Sequence, residues 1–412
     1  MTSANCRFCQ TPLQQTFADL GMSPVSNAFL RADQLDRKES FFPLHAFVCS
    51  NCMLVQLEQF ESPDAIFNAD YAYFSSFAES WLRHAREYVG EMVRRFGYGK
   101  SSFVVEIASN DGYLLQYFVE QGIPVLGVEP SANVAEAARK KGVDTLVRFF
   151  GVETAKKLVA EGRKADLLLG NNVLAHVPDL NDFVAGMKIL LKPGGVITME
   201  FPHLLRLMQE NQFDTIYHEH FSYFSFLTVQ KVFARHGLTL FDVQKLKTHG
   251  GSLRIFACHE EDSGKAKTRA VEELLQEELR AGLDRLAAYA DFAEKVRVAK
   301  RKLLRFLIDA KVAGKKIVAY GAPAKGNTLL NYCGIRSDFI DYTVDRSPHK
   351  QGMFLPGTHI PIYAPEKIFE TKPDYLVILP WNLKEEIIEQ MSSIRQWGGK
   401  FVLPIPEATV IE

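Results

Sequence analysis

The run Tyr217-His218-Glu219-His220 holds the residue types and spacing best suited to proton chemistry. A histidine can take a proton near neutral pH, a tyrosine can donate to an oxyanion, and a glutamate can orient a histidine. The spacing is not H-E-x-x-H, so it does not put two histidines on one helical face around a metal. On an extended chain His218 and His220 share one face, and Tyr217 and Glu219 share the other. On a turn all four can converge. Alone, the run fits a satisfied polar network or a metal site as well as a proton-transfer centre. The second chemical signal is Cys6-Arg7-Phe8-Cys9 with Cys49-Ser50-Asn51-Cys52. Two C-x-x-C knuckles can close a tetrahedral four-sulfur zinc site, and such a site has no open coordination position, which marks it as structural. The rival readings are two local disulfides or a redox motif. Redox C-x-x-C pairs usually occur once, beside a βαβ unit. The other cysteines, Cys258 and Cys333, stand alone. That pattern fits reduced thiols in a cytoplasm better than a disulfide framework.

Elements must position these residues. Across 101–260, apolar runs alternate with helical stretches: Phe103–Ile107, Val125–Val128, Leu167–Gly170 and Val196–Met199 read as strands. The alternation predicts an α/β fold with a parallel sheet and crossover helices. Runs near 238–247 and 253–257 predict a closing antiparallel hairpin turning at Gly250-Gly251. Residues 265–312 lack proline and read as long helix interrupted at Gly282, an amphipathic connector. From Ile317 a second α/β unit begins, with a strand entering Gly321-Ala322-Pro323-Ala324-Lys325-Gly326-Asn327 and further strands at 340–344, 375–379 and 401–403. Four units are expected: a zinc-binding module over 1–68, a central α/β domain over 69–262, a helical connector over 263–314 and a C-terminal Rossmann-like domain over 315–412.

The first central strand runs into Glu106-Ile107-Ala108-Ser109-Asn110-Asp111-Gly112, and the second ends in Glu129-Pro130. A tight small-residue turn lets a ligand approach the backbone, and an acid closing the second strand can hold both hydroxyls of a ribose. Those features also fit a dinucleotide. The loop, however, has one glycine where that fingerprint wants three, and Glu106 would repel a phosphate but hold an ammonium. Asn171-Asn172-Val173-Leu174-Ala175-His176 follows the third strand, and Leu191-Lys192-Pro193-Gly194-Gly195 precedes the fourth.

This set resembles the class I S-adenosylmethionine (SAM)-dependent methyltransferases. The resemblance implies that Glu106 faces the methionine ammonium, that Ala108, Ser109, Asn110, Asp111 and Gly112 back onto the cofactor, that Glu129 with Pro130 holds its ribose, and that Asn171 and Asn172 complete the wall. Taken with the cysteine pairs, Tyr217–His220, His249-Gly250-Gly251-Ser252-Leu253-Arg254 and Gly321–Asn327, the whole chain looks like the three-domain sugar C-methyltransferases with an N-terminal zinc-binding domain. That family implies methylation at C-3 of a nucleotide-linked 4-keto-deoxysugar, for antibiotic or surface-glycan pathways, through an enolate. Matching motif to motif, His220 is the base, with His218 the residue most easily exchanged for it. Tyr217 is an oxyanion donor or relay, Glu219 tunes the histidine, His176 lies near the same pocket, and Tyr71 reaches in from the zinc side. Cys6, Cys9, Cys49 and Cys52 hold structural zinc.

The Gly321–Asn327 loop is either a plain strand-to-helix turn or, through its amides, Lys325 and Asn327, a nucleotide-diphosphate contact. His249 is a further substrate candidate, as is Arg254 unless it serves its strand. A formal net charge of −1 gives no footprint for nucleic acid or anionic membrane. Nothing resembles a transmembrane helix or a secretory signal, so a cytoplasmic monomer or small homo-oligomer is expected. Competing readings are an O- or N-methyltransferase on a small metabolite, an NAD-dependent nucleotide-sugar oxidoreductase or epimerase, and a partner-recruiting zinc module on a vestigial fold.

Overall fold

The computed structural model describes residues 4–62 and 74–411. Among the described residues the chain forms three sheets, of four, seven and six strands. Tyr71 and the segment leading from the zinc module toward Phe74 lie outside the described residues.

The first sheet is built from β1 (Gln15–Ser23), β2 (Phe42–Val48) and β3 (Val55–Leu57), paired antiparallel. Both cysteine knuckles flank it. Each knuckle ends on a left-handed residue, Gln10 (φ 63°) and Met53 (φ 65°), whose amide returns to the carbonyl of the first cysteine. That bend turns both sulfurs of a pair to one side.

The central sheet contains β4 (Val104–Ile107), β5 (Val125–Val128), β6 (Thr145–Leu146), β7 (Ala165–Asn171), β8 (Leu191–Pro202), β10 (Leu238–Leu246) and β11 (Ser252–His259). A two-residue strand between them, β9 (Ser222–Tyr223), instead pairs with β3 and completes the first sheet. The order is β10-β11-β8-β7-β4-β5-β6, with β4 to β8 mutually parallel and β11 antiparallel between β8 and β10. Val104, Val105, Leu167, Leu168 and Leu169 are fully buried, as a parallel sheet covered by helices on both faces demands. Its order reverses between β4 and β7, and ligands of open α/β sheets bind outside the strand C-termini at such a point.

The C-terminal sheet orders β12 (Ile317–Tyr320), β13 (Thr343–Val344), β14 (Ile362–Tyr363), β15 (Tyr375–Ile378), β16 (Lys400–Leu403) and β17 (Thr409–Ile411) as β14-β13-β12-β15-β16-β17. Only the pairing of β16 with β17 is antiparallel. The connector forms helices Arg269–Arg280 and Phe292–Val312. Gly282 (φ +77°) ends the first, with its own amide and that of Leu283 returning to Leu279 and Glu278. The second helix is more than a spacer. Phe292 stacks on Phe17 of β1 at 4.4 Å, both rings fully buried, each contributing roughly 1.5–3 kcal/mol of burial. One apolar core runs continuously from β1 and β2 through this helix into β12 and β15. A second core joins Cys6, Cys49 and Cys52 to Val105, Leu168 and Ile197 of the central sheet. The metal knuckles therefore rest directly on the central domain.

Candidate active site

A cavity of about 510 Å³ opens at the C-terminal ends of β4, β5, β7 and β8. Ala108, Asn110, Glu129, Pro130, Asn171 and Asn172 form one wall, and His176, Tyr217, Glu219, His220 and His249 form another. Asn27 from the N-terminal part and Lys325, Lys350 and Asn382 from the C-terminal part close it.

The cofactor-side wall depends on a loop that turns without the usual glycines. Ala108 (φ 56°) and Asn110 (φ 48°) take left-handed conformations that asparagine tolerates better than most residues. The Asn110 amide donates to Glu129 Oε2 at 3.0 Å and the Ser131 amide to Oε1 at 2.9 Å, so the loop and the end of β5 are tied together. Glu129 keeps lone pairs toward the cavity, and burial raises its pKa against those amide bonds. Glu106, Ser109, Asp111 and Gly112 lie behind the wall rather than in it. Gly112 (φ +73°) is required by packing: a Cβ there would meet Val143 and Ala138 at 3.1 and 3.2 Å. Asp111 accepts from the Ser76 amide and from Lys141 Nζ, and Asn110 Oδ1 from the Ser75 amide, which fastens the turn Ser75–Phe77 over the loop. Glu106 is fully buried, and neither carboxyl oxygen has a hydrogen-bond partner of ordinary geometry. Burial pushes it well up, opposed by the Tyr113 hydroxyl. The Oδ1 atoms of Asn171 and Asn172 are likewise buried and unsatisfied. The unsatisfied Asn171 and Asn172 acceptors and the Glu129 carboxylate in a concave wall, with the buried acid Glu106 behind it, suit the polar groups of SAM.

The histidine-bearing wall is built by a turn. Phe213–Thr215 coils once, and the chain then doubles back through Tyr217 to His220 before entering β9. His220 Nδ1 lies 3.0 Å from the Thr215 carbonyl, which only accepts, so Nδ1 carries the proton. Nε2 is therefore the lone-pair nitrogen, and the Tyr217 hydroxyl donates to it at 2.8 Å. His176 meets His220 edge-on at 4.6 Å. Burial pushes His220 well below its usual range, with the charges of His176, His249 and Lys325 adding to it. Burial also lowers His176 to about 4. His249, in a left-handed conformation (φ 54°) and edge-on to Trp81 at 5.1 Å, falls to about 4 through burial and then Lys325. Glu219 accepts from Asn27 Nδ2 at 3.1 Å through Oε1, while Oε2 is buried without a partner. Burial raises its carboxyl to about 7.

Other sequence candidates point elsewhere. His218 faces the Pro43 carbonyl at 3.2 Å and packs edge-on to Phe42 and Phe60, away from the cavity. Arg254 is buried in an ion-pair network with Glu200 and Glu91, its guanidinium 4.7 Å over the Tyr88 ring. Asn327 is buried outside the cavity and donates to the Ser26 carbonyl at 2.6 Å, holding the segment that presents Asn27. Sequence reasoning did not single out Asn27, Trp81, Tyr113, Lys350 or Asn382 as lining residues. Trp81, at the start of an amphipathic helix and stacked on Tyr113 at 5.8 Å, had a signal: a large aromatic just upstream of the first strand. Asn27 had none.

The four cysteine sulfurs lie within 4.8 Å of one another, with Cys6–Cys52 at 3.6 Å and Cys9–Cys49 at 3.5 Å. Sulfurs about 2.3 Å from one zinc in a tetrahedron stand about 3.8 Å apart, so this donor set fits zinc. Among the described residues no other group of metal-ligating side chains gathers, and no helix is long and apolar enough to cross a membrane.

The sheet order, the single antiparallel strand and the wall at the strand C-termini define a class I SAM-dependent methyltransferase. Three family models match consecutive parts of the chain: "Putative zinc binding domain" over 6–67, "Methyltransferase domain" over 81–243 and "C-methyltransferase C-terminal domain" over 247–406. Across nearly its full length the chain is 37% identical to C-methyltransferase NovU of Streptomyces niveus, covering 98% of this chain and 96% of that one. It belongs to that family of SAM-dependent C-methyltransferases, with SAM and structural zinc as its cofactors. A ubiquinone biosynthesis O-methyltransferase of Chelativorans sp. is 32% identical over 95 residues only, 23% of this chain and 38% of that protein. Among solved structures, the Burkholderia thailandensis 1,6-didemethyltoxoflavin-N1-methyltransferase matches 50% of this chain and 95% of its own at 19% identity and TM-score 0.37.

Proposed function

We propose that the protein methylates C-3 of a nucleotide-linked 4-keto-deoxysugar through a base-generated enolate. The observation that carries this reading is the fixed tautomer of His220. With Nδ1–H committed to Thr215, the single lone pair of His220 is at Nε2, where it accepts from Tyr217, and both residues line the cavity beside the cofactor wall. Methylation of a neutral amine needs no such base, whereas carbon must first lose a proton. A ketone at C-4 acidifies the C-3 hydrogen. His220 Nε2 takes that proton, and the Tyr217 hydroxyl, released from Nε2, is free to donate to the developing oxyanion or to relay the proton. SAM supplies an electrophilic methyl group to the carbon. Glu129, Asn171 and Asn172 would orient the cofactor, and three parts of the chain line the cavity, an arrangement suited to aligning carbon and methyl. His249, Lys350 and the amide end of helix Ala324–Cys333 face the substrate side and suit a diphosphate-bearing sugar, and Lys325 lines the same side. The cytoplasm, where four reduced thiols can hold zinc, is the proposed compartment.

The test is incubation with SAM and a panel of nucleotide-linked 4-ketosugars in deuterated water, read by mass. One methyl added at C-3 supports the reading. Transfer only to oxygen or nitrogen, or to no ketosugar of the panel, refutes it.

A further inference from the structure

One cation in the cavity wall is placed for chemistry as well as binding. Lys325 opens helix Ala324–Cys333, and its ammonium donates to Asn382 Oδ1 at 2.7 Å and lies 4.5 Å from the Trp381 ring centroid. Trp381 is itself pinned, its indole N–H donating to Asp214 Oδ2 at 2.7 Å. Asp214 is next to Thr215, the residue whose carbonyl fixes His220. Lysine and base are thus mounted on one scaffold that joins the catalytic turn to the C-terminal domain. Gly250 permits this joint, since a Cβ there would meet Trp381 at 2.4 Å.

Lys325, His220 and His249 line the same cavity, and the charge of Lys325 depresses both histidines. For a base acting alone this neighbour is a handicap, because it lowers the proton affinity of His220. For enolisation it is an advantage, because negative charge arriving on the carbonyl oxygen in a buried site gains more from a fixed cation than it would in water. A histidine of lowered basicity can remove a proton from carbon only if the oxyanion is stabilised elsewhere.

We propose that Lys325 is a catalytic residue whose ammonium stabilises the enolate oxygen of the substrate, beyond any role in holding its phosphates. The inference rests on the ketosugar reading above. In the step, the C-3 proton passes to His220 Nε2. The C–H electron pair becomes the C-3/C-4 double bond, and the carbonyl π pair moves to O-4 beside Lys325, which keeps its proton.

The experiment follows C-3 hydrogen exchange in deuterated water, without methyl donor and with S-adenosylhomocysteine bound. The substrates are thymidine-diphosphate- and guanosine-diphosphate-linked 4-keto-6-deoxyhexoses at saturation. Nucleoside diphosphate affinity is measured separately by calorimetry. Lys325→Met is expected to lose about 10²-fold or more in exchange, while nucleoside diphosphate affinity changes by less than about threefold. Lys325→Arg should restore part of the rate. Burial sets Lys325 at about 8, so wild-type exchange should fall above that pH and the fall should vanish in Lys325→Arg. Exchange at the wild-type rate in Lys325→Met, or a loss of diphosphate affinity that accounts for its whole defect, overturns the inference. Retained S-adenosylhomocysteine binding verifies folding. If Lys325→Met fails that check, Asn382→Ala decides: an intermediate loss of exchange is expected, and a wild-type rate overturns the assignment. Wild-type protein that exchanges neither sugar overturns the ketosugar reading itself and the inference with it.

Discussion

His220 is defined by what its two nitrogens touch. The Thr215 carbonyl holds one proton in place, and Tyr217 marks the position from which the other nitrogen acts. Replacing His220 by Asn should cut methyl transfer by about 10²- to 10⁴-fold and leave SAM affinity unchanged in calorimetry. Glu219 gives a pH prediction whose sign follows from its raised pKa. The unfolded carboxyl releases its proton near the usual 4.5, whereas the folded one keeps it to about 7. The cost of burial is therefore absent below pH 4.5, grows between 4.5 and 7 and then stays constant. Glu219→Gln should stabilise the protein at pH 8, by up to about 3 kcal/mol, and not at pH 4.5. Thermal unfolding at the two pH values checks this, and an equal effect at both would contradict it. At this scale the sequence was legible where residues sit in one motif. Tyr217, Glu219 and His220 come from a single run, and the structure gathers them at one cavity. Asn27 was not legible, because it meets Glu219 across 192 positions and no local pattern records such a pair.

Among elements, the strand leaving the catalytic turn matters most. β9 begins just past His220, after Phe221, and pairs with β3 of the cysteine-flanked sheet. The first knuckle grips the same region. Arg7 donates to the Pro178 carbonyl at 2.8 Å and to Leu57, and its guanidinium lies 5.3 Å from the centroid of the Phe221 ring. The cysteine-bearing module therefore supports the turn from behind. Cys49→Ser should abolish stoichiometric zinc and lower the unfolding temperature by about 10 °C, as metal analysis and scanning calorimetry would show. The loop after β4 depends on Glu129 in a comparable way, because Glu129 anchors the loop and lines the cavity, where it is proposed to hold the ribose. Glu129→Ala should weaken SAM binding at least about tenfold in titration calorimetry. Long apolar strands such as β7 and β8 were readable as runs, and Gly282 as a helix stop. The two-residue strands β6, β9 and β14 were not, since two residues carry no periodicity. β9 was the least readable, because its partner β3 belongs to the N-terminal module rather than to the central sheet around it in sequence.

For the whole molecule, the sequence reads as units strung in order, while packing fuses them. The helix Phe292–Val312 reads as a connector by composition, yet it forms the middle of a core running from β1 to the C-terminal sheet. Its amphipathic pattern shows that one face is buried, but not against what. The same holds for the cavity: the wall along β4, β5 and β7 follows from local motifs, whereas the closure by Asn27, Lys325 and Asn382 is a product of assembly. The central claim is that a buried neutral histidine makes a carbon nucleophile next to a ketone. It is tested most directly by reacting the protein with ¹³C-methyl SAM and a nucleotide-linked 4-keto-deoxysugar and locating the label by NMR. The account predicts the ¹³C-methyl bonded to the carbon beside the ketone, and its loss in His220→Asn. A label on oxygen or nitrogen, or full transfer by His220→Asn, would contradict it.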